Sequence, residues 1–461
     1  METTYDVRIW KTEVYKGKRG TTYSVRWSVA GKAKRESLAT AALADAFRSE
    51  LKTAQQNGER FDIESGLPLS KLKAAANISW YDFALKYVDS KWDRFSAHQR
   101  RNVADCLVLA TMALLRAEPT AHTPRQIRVA LREYAFNTTR RKNAPDDIAT
   151  MLNWVRRSSH SLSALTGTST VNRVVDAIGT KLNGKPAASS SVRRNRAIFN
   201  GAMKYALAEN LLMVNPVSTI EVKKVKVSRA VDKRCLLDRP RASRMLAHIQ
   251  SRPRGGRRLH AFFSVLYFAG LRPEEAVMMR LEDLTLPAQG WGEILVHTGA
   301  SEIGSQWTDS GKVRDERGLK GRAEGDTRPV PTHPTLTRVL REYIANPGTE
   351  RKPLDSLKPG DSLFPGEQGG ALAGVVYRRA WDAARKSTLT EAEYASPLGK
   401  RIYDLRHTCL TNWLNSGVPA AQVAEWAGNS VPVLLSTYVN CIVGDDDDLK
   451  KRIERELPDE N

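Results

Sequence analysis

Hydrophobic positions alternate with polar ones at the start of the chain. Tyr5-Asp6-Val7-Arg8-Ile9-Trp10 has the period of a half-exposed strand. Lys16-Gly17-Lys18-Arg19-Gly20 reads as a turn, residues 22–29 alternate again, and Ala30-Gly31-Lys32 turns into a third extended piece. Residues 41–56 are rich in Ala, with Leu, Glu and Lys among the rest, and predict a helix. Residues 1–60 are therefore expected to form a three-stranded sheet with one helix. Residues 57–73 contain Gly58, Gly66 and Pro68 and read as a linker.

The period then changes. Trp80, Phe83 and Tyr87, followed by Val103, Leu107 and Ala110, recur at helical spacing. Further helices are predicted over 126–136, 147–157 and 191–210, with residues 184–191 as a flexible join, so that 75–218 forms a helical domain. Residues 219–235 are a basic extended linker carrying Lys223, Lys224, Lys226 and Arg229. Beyond it, Leu259, Phe262, Phe263, Leu266 and Tyr267 share one helical face. Gly270 fits a helix end and Pro273 the first turn of the next helix, which puts Arg272 at its mouth. Residues 293–297 predict a strand and 327–331 its return, separated by a long insertion. After the break at Pro397-Leu398-Gly399, helices are expected over 404–416 and 420–427, stopped by Gly417 and Gly428. Ser430 can cap a last short helix near Pro432. Its leucines would anchor it while the phenol of Tyr438 faces out. Residues 236–443 thus form a separate domain. Residues 444–461, with the acidic run Asp445-Asp446-Asp447-Asp448 and a short amphipathic helix over 449–457, form a tail. The fold class is mixed α+β, mainly α.

Composition narrows the function classes. A chain of 461 residues exceeds one compact core. Its 72 Lys+Arg outweigh 51 Asp+Glu, giving a net charge of +21. Duplex DNA carries one negative charge per ~1.7 Å of axis, so such a chain is expected to bind it with release of counterions. Cys106, Cys235, Cys409 and Cys441 are scattered, which argues against a disulfide framework or a zinc site and fits a reducing compartment. No apolar run approaches the ~20 residues of a membrane span. The N-terminus lacks the apolar core of a signal peptide. A cytoplasmic, nucleoid-associated protein is the expectation.

The chemistry is concentrated late in the chain. Gly270-Leu271-Arg272-Pro273-Glu274-Glu275 is followed far downstream by Tyr403-Asp404-Leu405-Arg406-His407-Thr408. Ala427-Gly428-Asn429-Ser430 and Ser436-Thr437-Tyr438 come last. A phenol of pKa near ~10 is a poor nucleophile until charge is stabilised around its target. Two guanidiniums can clamp the oxygens of a scissile phosphate and favour its pentacovalent transition state. On these motifs the chain resembles the tyrosine recombinase (phage integrase) family over residues 255–440, and more loosely over 75–220 and 1–60.

The resemblance implies an arm-type DNA-binding domain at 1–60, with Arg8, Lys18, Arg19 and Arg26 among its basic residues. It implies a core-binding domain at 75–218, and the linker lysines and Arg229 would lie along phosphates. The catalytic domain would use Tyr438 as nucleophile, forming a 3′-phosphotyrosyl link, with Arg272 and Arg406 on the phosphate and Glu275 orienting an arginine. The family's proton donor is a lysine on the β-hairpin between the arginine motifs. Lys320 is preferred here, with Lys312 as rival. No cofactor or metal is required. The implied partners are double-stranded attachment-site DNA, a homotetramer assembled through the C-terminal tail, a host DNA-bending protein and an excision factor. Two positions depart from the family. Tyr403 replaces the usual His or Lys, and Asn429 the usual His. Both can donate a hydrogen bond to phosphate and neither carries charge, so the general base is left open. His407 stands one helical step, ~100°, round from Arg406 and is no simple replacement. Two other readings remain: a type IB topoisomerase, and a DNA-binding regulator on a catalytically weakened scaffold.

Overall fold

The structure is a computed structural model that describes residues 2–17, 20–71, 78–220, 230–319, 323, 325–346, 360–367, 369–441 and 450. The chain divides into two compact units. The first holds residues 1–227 together with 303–312, and the second holds 228–302 and 313–461.

The first unit begins with a four-stranded antiparallel sheet rather than the three strands expected. Strands β1 (Thr3–Thr4), β2 (Val7–Ile9), β3 (Glu13–Gly17), β4 (Gly20–Val29) and β5 (Lys32–Leu38) precede helix α1 (Ala41–Gln56). The ten-residue β4 is long enough to pair with β2 near one end and β3 near the other, while β5 covers its opposite edge. The extra strand is β3, which the sequence reading passed over on the way to the turn. Val25, Trp27 and Val29 alternate inward from β4 and meet Ala44, Phe47 and Leu51 of α1. The Trp27 and Phe47 rings are 5.4 Å apart, edge to face.

The expected linker at 57–73 is partly structural. Strand β6 (Phe61–Asp62) pairs with β1, Phe61 and Leu67 are buried, and the Trp27 indole N–H donates to the Gly66 carbonyl at 2.7 Å. Of the basic residues expected to face DNA here, Arg8 and Arg26 are exposed. Arg26 lies 2.9 Å from Glu13 and over the Trp10 ring. Lys18 and Arg19 lie outside the described residues, as do Lys223, Lys224, Lys226, Arg229 and Lys320, and the acidic run and helix expected in the tail.

The helical part of this unit comprises α2 (Trp80–Lys91), α3 (Ala97–Ala113), α4 (Pro124–Ala130), α5 (Thr138–Arg141), α6 (Asp146–Ser158), α7 (Thr168–Ala177) and α8 (Ser189–Ala208). Capping boxes at Ser96/Gln99 and Thr123/Gln126 start α3 and α4. The helix expected over 126–136 is instead α4 followed by a π-turn at Leu131–Ala135.

Residues 303–312 belong to this core. Trp307 is fully buried among Trp92, Arg100 and Arg132. Arg100 donates to the Trp307 carbonyl at 3.0 Å and pairs with Asp309 at 2.6 Å. Asn137 donates to the Gln306 carbonyl at 2.7 Å. Lys312, the rival candidate for proton donor, is therefore part of the first unit.

The second unit packs α9 (Arg239–Gln250), α10 (Gly256–Phe268), α11 (Pro273–Ala276), α12 (Pro334–Ala345), α13 (Gly374–Thr388), α14 (Glu391–Ala395), α15 (Tyr403–Asn415), α16 (Ala420–Ala427) and α17 (Val431–Tyr438) with short strands. Strands β8 (Gly292–Val296) and β11 (Arg328–Thr332) pair antiparallel, with β7 (Leu284–Thr285) on the far side of β8. The long insertion forms a second ribbon of β9 (Thr298–Glu302) and β10 (Arg314–Gly318).

Replacing Trp307 by Ala removes a large buried ring and should destabilise the first unit by about 3–5 kcal/mol. Guanidinium titration followed by tryptophan fluorescence checks this. A loss below about 1 kcal/mol would mean that 303–312 contributes little to that core.

Candidate active site

The site is assembled by two helix stops and one strand. Helix α10 ends before Gly270 and α16 ends at Gly428, and both glycines adopt the left-handed conformation with φ of 61°. A side chain at either position would be strained and would collide. At Gly428 a Cβ would strike the Arg328 guanidinium, and at Gly270 it would come within 2.6 Å of Leu410 Cδ1.

Glu275, 4% exposed at the end of α11's first turn, lies at the centre. Its Oε1 is 2.6 Å from Arg272 Nη1 and its Oε2 2.8 Å from Arg328 Nη2. Arg406 Nη1 stands 4.0 Å from Oε2. The carboxylate also accepts the Arg272 backbone N–H at 2.9 Å, so Glu275 caps the start of its own helix. Burial would push the Glu275 carboxyl up, but the charges of Arg328 and Arg272, the Arg328 hydrogen bond and the charge of Arg406 together hold it down to about 2.

Arg328 is the functional residue that sequence reasoning missed. Strand β11 presents Arg328, Val330 and Thr332 to the interior, and Arg328 is 1% exposed. A signal existed, because Arg328 stands two residues before the core residue Val330 and so shares its face.

Arg406 projects from α15 and is 1% exposed. It donates to the Gly270 and Ala427 carbonyls, which lie at the ends of α10 and α16. Carbonyls at helix C-termini carry partial negative charge and suit a cation. Arg272 keeps 13% of its side chain exposed, more than Arg328 or Arg406. Its Nη2 donates to the Gly428 carbonyl at 3.0 Å and to Asn429 Oδ1 at 2.9 Å. A neutral amide at 429 can accept from an arginine through oxygen and still offer N–H donors elsewhere. An imidazolium could not do both.

Tyr438 does not face out. It is 2% exposed, because it follows the buried Leu434 by four residues and shares its helical face. It packs among Leu410, Val423, Cys409 and Cys441. The backbone N–H of Val231 donates to the Thr437 carbonyl at 2.8 Å and pins the end of α17. The Tyr438 hydroxyl is 2.9 Å from His407 Nδ1. Burial raises the phenol's pKa well above its usual range, against the charge of Arg406. Tyr403 lies edge-on to the His407 ring, with centroids 5.0 Å apart, and the Arg406 guanidinium is 5.9 Å from the Tyr403 ring centre. The structure thus brings Arg272, Glu275, Arg406, Tyr403, Asn429 and Tyr438 into one unit and adds Arg328 and His407.

Replacing Glu275 by Gln leaves three arginines facing one another and should cost about 3–5 kcal/mol near neutral pH. A carboxyl held below its ordinary value stabilises the fold above that value, and the contribution is lost as pH falls toward about 2. The gap in unfolding free energy between wild type and variant should therefore narrow between about pH 4.5 and pH 2. A gap independent of pH in denaturant titrations would contradict the arrangement.

Residues 236–441 match the model of the phage integrase family. A relative in Sinorhizobium fredii (strain NBRC 101917 / NGR234), named "Putative integrase/recombinase y4rC", is 30% identical over 199 residues, which are 42% of this chain and 48% of that protein. This chain thus spans about half the length of that relative. Among solved structures, the Tn1549 transposon integrase in complex with transposon right end DNA overlaps at 16% identity and a TM-score of 0.47, over 71% of this chain and 98% of that one. The XerH recombinase bound to its difH substrate overlaps at 15% identity and a TM-score of 0.44, over 78% and 96%. The arginines, Glu275 and Tyr438 all fall within the residues that match the phage integrase family model.

Proposed function

We propose that this chain is a site-specific DNA recombinase of a phage or mobile element that cuts and rejoins duplex DNA through Tyr438. The observation that carries the reading is the gathering of three guanidiniums on one carboxylate, which holds two of them directly and lies 4.0 Å from the third, in the same unit as a tyrosine whose hydroxyl meets His407. Three positive charges against one negative leave a surplus that suits a phosphodiester. Arg272, the most open of the three, takes a non-bridging oxygen. Arg328 and Arg406 supply field from below, and Asn429 offers its amide N–H groups beside Arg272.

In the proposed reaction Tyr438 Oη attacks phosphorus and the 5′ oxygen leaves. The 3′-phosphotyrosyl link conserves the energy of the diester, so the 5′-hydroxyl of a partner strand can reverse the step. Lys320 is the proposed donor of a proton to the leaving oxygen. Because Tyr438 is buried, DNA binding must uncover its hydroxyl before the phenol can reach phosphorus. Attachment-site DNA, a homotetramer, a host bending protein and an excision factor are the partners proposed, with residues 1–60 as a second DNA-binding arm. A cytoplasmic location belongs to the same reading.

Tyr438→Phe should abolish the covalent adduct that survives denaturation and leave DNA binding within about twofold. The assay uses a pool of nicked suicide duplexes of randomised sequence, with adducts resolved on denaturing gels. An adduct that persists in the variant would remove Tyr438 from the chemistry. Wild type that binds DNA but never forms an adduct would favour a regulator.

A further inference from the structure

We propose that His407 is the general base that takes the phenolic proton of Tyr438, in the place left open by Tyr403 and Asn429. The proposal rests on the strand-breakage reading above. Three observations support it. The imidazole Nδ1 is 2.9 Å from the Tyr438 hydroxyl, within direct proton-transfer distance. Among the described residues, that imidazole is the hydroxyl's one hydrogen-bond partner, and the phenol is 2% exposed, so bulk water does not compete. Finally, the helical offset that turns His407 away from Arg406 is what aims it at α17. Position 406 faces Glu275 and position 407 faces Tyr438.

The groups facing the imidazole make it a neutral acceptor. Arg406 on its own helix and Arg401 just before that helix oppose a positive charge, the Tyr403 ring lies edge-on, and Tyr438 approaches from α17. Burial first, then Arg401 and Arg406, hold His407 down to about 4, so its lone pair is available across the physiological range. In the step, the Tyr438 Oη–P bond forms as the P–O5′ bond breaks. The phenolic proton passes to His407 Nδ1, and the 5′ oxygen receives its proton from a separate donor. In rejoining, the 5′-hydroxyl attacks phosphorus and gives its proton back to that separate donor, Tyr438 leaves, and His407 returns the proton to it.

The test compares wild type with His407→Asn, which keeps a hydrogen-bonding group near the Nδ1 position and cannot take a proton at neutral pH. Adduct formation is followed from pH 5 to 9 on the suicide duplexes. Wild type should be nearly flat. The variant should be at least ~100-fold slower at pH 7, and its rate should climb about tenfold per pH unit as hydroxide takes over. A substrate with a 5′-bridging sulfur, whose leaving group needs no proton, should not restore the variant. Rescue by sulfur would place His407 on the leaving-group side and overturn the proposal. Equal rates and profiles would also overturn it, as would a faster variant, which would make the contact a latch.

A wild type with no adduct on any duplex fails the strand-breakage reading itself, and the proton assignment falls with it. Should the variant fail to fold, ¹⁵N-labelled histidine in wild type gives a second readout. Nδ1 of His407 should be unprotonated at pH 7, and a protonated Nδ1 donating to the phenol overturns the assignment.

Discussion

A single buried carboxylate makes this site possible. Three guanidiniums within one small volume repel one another, and two of them are almost wholly removed from water. Glu275 offsets that repulsion by hydrogen bonds to Arg272 and Arg328 and by its charge toward Arg406. The remaining positive charge is the useful part. A cluster balanced to neutrality would have no reason to attract phosphate, and one with no carboxylate would not stay folded around its own arginines. The two left-handed glycines serve the same purpose. They end α10 and α16 so that the adjacent carbonyls, Gly270 and Ala427, accept from Arg406.

Much of this was legible in the amino-acid order. The helix stops at Gly270 and Gly428, the helix carrying Arg406 and the alternation of Val25, Trp27 and Val29 all follow from local rules that depend on a few neighbouring residues. What escaped depends on distant packing. Arg328 looked like an ordinary strand residue because an arginine is usually exposed, and only its register with Val330 pointed inward. Tyr438 was expected at the surface because its role calls for access, although its spacing from Leu434 already placed it on the buried face. The destination of residues 303–312 could not be read locally at all, since the partners of Trp307 lie some 200 positions earlier in the chain.

The replacements at 403 and 429 take on a different meaning once the geometry is known. Each removes a potential charge from a site already crowded with arginines. Asn429 uses its oxygen to receive Arg272, and Tyr403 lies against the imidazole of His407. Both substitutions suit a site in which positive charge is supplied by guanidiniums and proton transfer is left to a neutral ring.

The membership of residues 303–312 in the first unit has a topological consequence. The backbone passes from one unit to the other at 227/228, returns at 302/303 and leaves again at 312/313. The two units are therefore interleaved along the chain and cannot be separated by one cut. A fragment beginning at Ser228 would carry Trp307 without the aromatic and arginine neighbours that shelter it, and the complementary fragment would be left with a cleft where that indole belongs.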